Sequence, residues 1–387
     1  MQKQQFPILM TFGHLCADLN QGVLAAILPF LVATYHYDYT TAALLVMVSN
    51  LVGSIIQPLF GYLADKSNKP YRMTIGVLLA GGGMALTGWL SNFVFLCMAV
   101  VISGIGVAMF HPQAAQVVNR QARTGAKGVS IGIFSFGGNL GFTLGPIFAT
   151  SVMALFGLKG TLIFVAPALI FALVATFSSH RLRVEKEQSE NPEEACHGTD
   201  HWGEFIKLSA LIVFRSIIFA GISTFMVLYF IEALDLSKTT GNSLLSLYYA
   251  SAAFAAIFGG RLADLFGQKR VLTFSLFILT PSLFLFLWTQ QFVWLCCMVV
   301  FLGLGISLGY SPMILLGQQY LPNHIGFASG ITLGISVSLG GIMAPLLGKI
   351  GDLYGLSTTF HLLAFLSLLP LLLSFVIKEP RQRSSAK

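Results

Sequence analysis

Residues 61–72 read Gly-Tyr-Leu-Ala-Asp-Lys-Ser-Asn-Lys-Pro-Tyr-Arg, and residues 260–270 read Gly-Arg-Leu-Ala-Asp-Leu-Phe-Gly-Gln-Lys-Arg. Each stretch closes an apolar run and turns through an aspartate, Asp65 or Asp264, into a basic loop. The two aspartates set an offset of about 199 residues, and other pairs keep it: Gly104-Ile-Gly106 matches Gly303-Leu-Gly305, and Gly145-Pro146 matches Ala344-Pro345. The chain is built as two copies of one arrangement.

The composition says what kind of arrangement this is. Of 387 residues, 55% are hydrophobic and 10% charged, against about 25% charged in an average soluble domain. The mean hydropathy is +0.79. So few charges cannot build a water-facing surface, which excludes a soluble globular protein, and the same numbers exclude disorder, a coiled coil, collagen and a nucleic-acid module. A spanning helix takes about 20 apolar residues, so the length holds about twelve. The apolar stretches are continuous rather than alternating, which argues against a membrane β-barrel. The fold expected is an all-α membrane protein with twelve transmembrane helices in two pseudo-symmetric six-helix bundles. Of five cysteines, Cys16, Cys97, Cys296 and Cys297 lie in apolar runs and read as small core residues, not as a disulfide framework.

The apolar segments lie at roughly 7–33, 41–63, 72–91, 93–118, 128–156, 160–179, 208–231, 241–260, 271–289, 292–320, 326–348 and 356–377. Alternate connections are basic: Lys66, Lys69 and Arg72; Arg120, Arg123 and Lys127; Arg181, Arg183, Lys186 and Lys207; Arg261, Lys269 and Arg270; and the tail from Lys378. The others hold only Lys159, Lys238 and Lys349. By the positive-inside rule the basic set is cytoplasmic, and both termini lie with it. The first apolar run carries His14 and Asp18 and reads as a span, not a cleavable leader. The domains expected are 1–179, a six-helix bundle; 180–207, a polar cytoplasmic linker; and 208–387, the second bundle with a short tail. Cys196, His197, Asp200 and His201 in the linker are read as solvated, and no metal is expected.

The doubled Gly-x-Leu-Ala-Asp loop resembles the signature loop of the major facilitator superfamily, with Asn68 where that family usually has glycine. Gly141-Phe-Thr-Leu-Gly145-Pro146 resembles the Gly-Pro motif of its antiporter branch. Gly13-His14 through Asp18 to Gly22, Phe110-His111-Pro112, and Phe214-Arg215-Ser216 together resemble the fosmidomycin resistance protein family of drug exporters. The resemblance implies a monomeric secondary transporter of the bacterial inner membrane. It would work on a small molecule and protons by alternating access, in contact with lipid and not with nucleic acid, without cofactor or covalent chemistry.

Ionisable groups within spans are expensive and are functional suspects. His14, Asp18 and Gln21 fall on one face of the first span. At 1.5 Å per residue, His14, His111 and Arg215 share one layer on the order of 10 Å below the inner surface. The repeat offset places Arg215 opposite the His14–Asp18 face. Asp18, aided by His14, is the proton-coupling candidate; Arg215, His111, Gln21 and Asn139 are the substrate-binding candidates. Arg215 as a structural counter-ion of Asp18, and His111 as the cap of a kink at Pro112, are alternatives. Asp65, Arg72, Asp264, Arg261, Lys269 and Arg270 are the gate candidates, each aspartate expected to meet the helix N-terminus of the other half. Gly141, Gly145 and Pro146 read either as a hinge or as close packing. Protonating Asp18 frees Arg215 for an anion, which is the sign of symport, whereas the resemblance implies antiport; export by antiport leads, and uptake of an organic anion by symport is the alternative.

The charge pattern sets a first test. A cysteine at Ser189 should resist an impermeant thiol reagent in intact cells while cysteines at Asp38, Lys159 and Lys238 react. Strong labelling at position 189 from outside would reverse the orientation.

Overall fold

The structure is a computed structural model that describes residues 5–66, 71–121, 127–178, 199–288, 291–324, 328, 331–332 and 336–379. No strand occurs among them. The first half comprises α1 (Gln5–Tyr35), α2 (Tyr39–Lys66), α3 (Tyr71–Leu86), α4 (Phe93–Gln121), α5 (Lys127–Phe156) and, through a 3₁₀ run at Leu158–Val165, α6 (Ala166–Ser178). The second comprises α7 (Trp202–Leu234), α8 (Lys238–Phe266), α9 (Gln268–Trp288), α10 (Phe292–Ser307), α11 (Tyr310–Tyr320), α12 (Ser336–Tyr354), α13 (Leu356–Leu366) and α14 (Leu368–Val376).

Among the described residues, ten helical segments are long and apolar enough to cross a bilayer. In three of them the helix changes course inside the span: Leu158–Phe177, Phe292–Tyr320 and Leu356–Val376. The 16-residue α3 and the later part of the eleventh apolar run, α12, supply the remaining positions of the twelve. Large apolar side chains such as Leu155, Phe177 and Trp288 point outward and are exposed, as lipid-facing residues should be. Inside, the second half is filled by aromatics: Tyr229 lies with its ring centroid 4.5 Å from Phe360 and 5.4 Å from Phe286.

The 180–207 linker is outside the described residues up to 198. Its last part is not free chain: the His201 amide donates to the Tyr320 carbonyl at 2.7 Å, and α7 begins at Trp202 rather than near 208. The buried Phe205, with Trp202 against it at 6.2 Å, gives this polar-looking stretch the apolar anchor that extends the helix.

Helix α5 runs through Pro146 unbroken and is pressed along α1. A Cβ on Gly141 would lie 2.6 Å from the Leu15 carbonyl oxygen, and one on Gly145 would lie 2.8 Å from the Gly22 Cα. At these two positions only glycine lets the backbones meet. Pro146 has no N–H for the Phe142 carbonyl, and Gly22 of α1 packs on that carbonyl instead.

The two halves are tied together at the end where α2 and α8 begin. Asp352 of α12 accepts from the backbone N–H of Tyr39 at 2.6 Å and of Thr40 at 2.9 Å, and from the Thr40 hydroxyl at 2.5 Å. Asp38 accepts from Thr41 N–H at 2.7 Å. Three otherwise orphaned donors of α2 are satisfied in this way, and the carboxylate of one half sits on the positive helix end of the other. Glu232 of α7 accepts from the Tyr39 hydroxyl at 2.8 Å and the Leu356 amide at 3.2 Å. On the pseudo-symmetric side, Asn242 of α8 donates to the Ala26 carbonyl at 3.2 Å and the Thr150 hydroxyl at 2.8 Å.

The predicted gate lies at the opposite end. The side chains of Asp65 and of the start of α5, and most of the residues just before α12, are outside the described set, so the expected contacts of Asp65 and Asp264 with those helix ends fall there too. Asp264, Arg261 and Arg270 are exposed, and no ion pair among the described residues joins Asp264 to Arg261, Lys269 or Arg270. Lys269 instead donates to the Phe375 carbonyl at 3.3 Å, and Arg72 to the Leu63 carbonyl at 2.9 Å, both within their own half.

Hydrogen bonds to a charged group are worth about 1.5–3 kcal/mol each, so losing the Asp352 set should shift the opening equilibrium of its end by at least about tenfold. Asp352→Ala should speed labelling of a cysteine placed at Leu24, below this latch, by that factor. An unchanged rate would show that the packing alone closes this end.

Candidate functional site

Between the halves, α1, α5, α7, α8, α10 and α11 enclose a cavity of about 300 Å³. His14 and Asp18 reach it from α1, Ser135, Gly138 and Asn139 from α5, Arg215 and Ser216 from α7, Ser307 from α10 and Tyr310 from α11. A smaller chamber of about 120 Å³ lies beside it, lined among others by Gln21, Leu24, Asn50 and Thr224. Phe142, Ser216, Phe219 and Tyr249 line both, and the rings of Phe142 and Tyr249 meet across the halves at 5.5 Å.

Asp18 is 5% exposed and is held by two histidines. Its Oδ1 lies 2.8 Å from His111 Nε2, and its Oδ2 lies 3.1 Å from His14 Nε2. The four-residue spacing on α1 brings His14 over Asp18, and α4 brings His111 from the other side. His14 Nδ1 lies 2.7 Å from the Phe134 carbonyl oxygen of α5. A carbonyl only accepts, so Nδ1 carries a proton. The neutral ring would then turn the Nε2 lone pair toward a carboxylate oxygen at 3.1 Å. The contact is a hydrogen bond only when one further proton sits on His14 Nε2 or Asp18 Oδ2. Gly138 makes the close fit possible, since a Cβ there would lie 2.5 Å from both Asp18 Oδ2 and His14 Nε2. The three ligating atoms lie within 4.8 Å of one another, and nitrogen and carboxylate oxygen are also donors that a zinc-class ion accepts.

Arg215 does not pair with Asp18. Its Nε donates to the Ile306 carbonyl at 2.8 Å, and Nη2 donates to the same oxygen. Ile306 is in the last turn of α10, where carbonyls lack partners within the helix. The guanidinium lies 5.8 Å from the Tyr310 ring centroid. No carboxylate among the described residues pairs with it, so an unneutralised cation faces the cavity with donors to spare.

Of the predicted site residues, His14, Asp18, Asn139 and Arg215 share one cavity. His111 is placed on Asp18 rather than beside Arg215, and Gln21 opens into the smaller chamber. Tyr249 and Tyr310 also line the cavity. The carbonyls of Phe134 and Ile306 had no side-chain signal by which sequence could find them.

The Major Facilitator Superfamily family model matches residues 10–332 and 208–387. The fosmidomycin resistance protein of Escherichia coli (strain K12) is 26% identical over 372 residues, covering 95% of this chain and 91% of that protein. Two solved structures have the same fold. A bacterial homolog of the human lysosomal transporter Spinster, inward-facing and occupied, superposes with a TM-score of 0.82 at 14% identity, covering 97% of this chain and 96% of that one. The nucleoside transporter NupG gives 0.78 at 14% identity, covering 97% and 100%. With a family model spanning the two halves and their helices in the matching fold, this chain belongs to the major facilitator superfamily, membrane transporters of small molecules and not enzymes.

Proposed function

We propose that this chain exports a small organic anion or drug-like compound, of the fosmidomycin-like phosphonate kind, in exchange for protons. The observation that carries the reading is Arg215, with no carboxylate partner among the described residues, facing the same cavity as the His14–Asp18 contact. Arg215 supplies a planar fork suited to phosphonate or carboxylate. Asp18, with His14 and His111, supplies the coupling proton. The Escherichia coli relative is named for resistance to a phosphonate drug, which supports export. With the basic loops in the cytoplasm of a bacterial cell, the latched end of the bundle faces outward, and the site is reached from within.

Symport remains the second reading, and one observation favours it. His14 and Arg215 line one cavity, so a proton taken up at His14 would attract an anion bound at Arg215. Charge movement favours exchange. Sending one monoanion out and one proton in moves two charges down an inside-negative potential, at about 2.3 kcal/mol per charge per 100 mV.

Counterflow in proteoliposomes separates binding from coupling. Asp18→Asn should retain exchange without a gradient and lose pH-driven transport. Arg215→Lys should weaken phosphonates and carboxylates by about 10–100-fold, the loss of a charge-assisted bidentate contact, and neutral compounds by less than about twofold. Transport by Asp18→Asn in proportion to the imposed pH gradient would move the proton site elsewhere. Equal losses for anions and neutral compounds would remove Arg215 from substrate recognition.

A further inference from the structure

The side chains around Asp18 have a chemistry that a proton does not exhaust. His14 Nε2, His111 Nε2 and the Asp18 carboxylate come from two helices, and their ligating atoms lie within 4.8 Å of one another, the one such group of three among the described residues. His111 lines neither chamber, so the group sits in the wall of the first half, with His14 and Asp18 alone reaching the cavity. Two imidazoles and one carboxylate are the donor set of an open zinc site, in which a water takes the fourth place. Calcium and magnesium prefer oxygen, and here two of the three donors are imidazole nitrogens.

The outer support such a site needs is present. His14 Nδ1 donates to the Phe134 carbonyl oxygen at 2.7 Å, and the Phe134 ring stacks on the imidazole at 4.1 Å. Metal-bound histidines are held in this way, with the remote nitrogen on a carbonyl and the lone pair of the other turned inward. The rings of His14 and His111 stand edge to face at 73°, with centroids 4.8 Å apart, so they converge on Asp18 rather than stack. In a tetrahedral site with bonds of about 2.0–2.2 Å, ligand atoms lie about 3.4 Å apart. The two contacts to Asp18 are 2.8 Å and 3.1 Å, so an ion enters when each opens by a few tenths of an ångström.

We propose that His14, Asp18 and His111 bind one zinc-class divalent ion from the cavity side, in competition with protons. Each ligand must be deprotonated to bind, so ion and proton exclude one another. The charged and titratable groups that face the site from other elements are Arg215 of α7, which opposes the ion, and Tyr249 of α8 and Tyr310 of α11; α5 presents only Ser135 and Asn139 as polar groups. A bound ion ties α1 to α4 and blocks the transporter. That consequence rests on the proposed function, whereas the site itself does not.

The test starts with binding, on full-length protein purified in detergent and stripped with a chelator. Zinc titrated against a fluorescent zinc chelator should bind one ion per chain at about pH 7.5, more than about tenfold more weakly at about pH 5.5, and excess calcium or magnesium should not displace it. His14→Ala and His111→Ala should each lose at least about 100-fold in affinity, beyond what loss of an outer partner costs. His324→Ala and His361→Ala, at exposed histidines, should change nothing. Cobalt(II) in place of zinc should give the intense visible absorption of a four-coordinate site in the wild type, which decides the matter even if the alanine variants fold poorly. Asp18→Cys, with a similar reach, should keep cobalt and add a thiolate-to-cobalt charge-transfer band. A wild type that binds no zinc, binding that survives both alanine variants, or cobalt on Asp18→Cys without that band would overturn the site. In proteoliposomes, zinc should stop pH-driven transport and a chelator should restore it. If zinc binds as described and transport continues, the site stands and the coupling role given to Asp18 fails.

Discussion

A carboxylate sealed inside an apolar bundle is the constraint on which the centre of this protein depends. Asp18 is buried, and an unpaired charge in such a place is strongly destabilising. Two histidines from two helices meet it, and the backbone of a third helix fixes the tautomer of one of them. That arrangement needs α1, α4 and α5 in register. The glycines at 138, 141 and 145 bring α5 close enough for it. A proton taken up by this cluster would bear on the packing of the bundle as well as on coupling. Without that proton the His14 Nε2 lone pair would face a carboxylate oxygen, acceptor against acceptor, which would favour a rearrangement of the first half.

The second half answers with a different economy of charge. Arg215 takes no carboxylate and rests on a helix-end carbonyl, a neutral partner that fixes its position without neutralising it. Direct pairing with Asp18 would have satisfied both groups and left neither for cargo. In the proposed reading, separation across the cavity leaves one half to handle the proton and the other the anion. The sheared ends of the molecule differ in kind. At one, Asp352 and Glu232 of the second half hold the first turn of α2. At the other, Asp264 and its basic neighbours face solvent.

Much of this was legible in the sequence, because its signals were physical ones. Continuous apolar runs fixed the helices, the doubled Ala-Asp loops fixed the repeat, and a few ionisable residues within spans marked His14, Asp18, His111 and Arg215. What sequence could not carry was who meets whom. His111 belongs to Asp18 and not to Arg215, because the pitch of α4 beside α1 is a tertiary fact. Gln21 shares a face with His14, yet the Phe142–Tyr249 pair assigns it to another chamber. Nothing near Asp352 or Glu232 in the sequence marks them, since a cap contributed from the other half leaves no local pattern. The carbonyls of Phe134 and Ile306 have no residue-type signature at all.

Charge movement decides the account most directly. Proteoliposomes loaded with a transported monoanionic phosphonate, at equal pH on both sides, can be given an inside-negative potential with a potassium ionophore while efflux and internal pH are followed together. Exchange of an anion for a proton predicts that the potential accelerates efflux and that the interior acidifies as substrate leaves. Efflux indifferent to the potential, with protons leaving alongside the substrate, would contradict it and make the protein an electroneutral symporter.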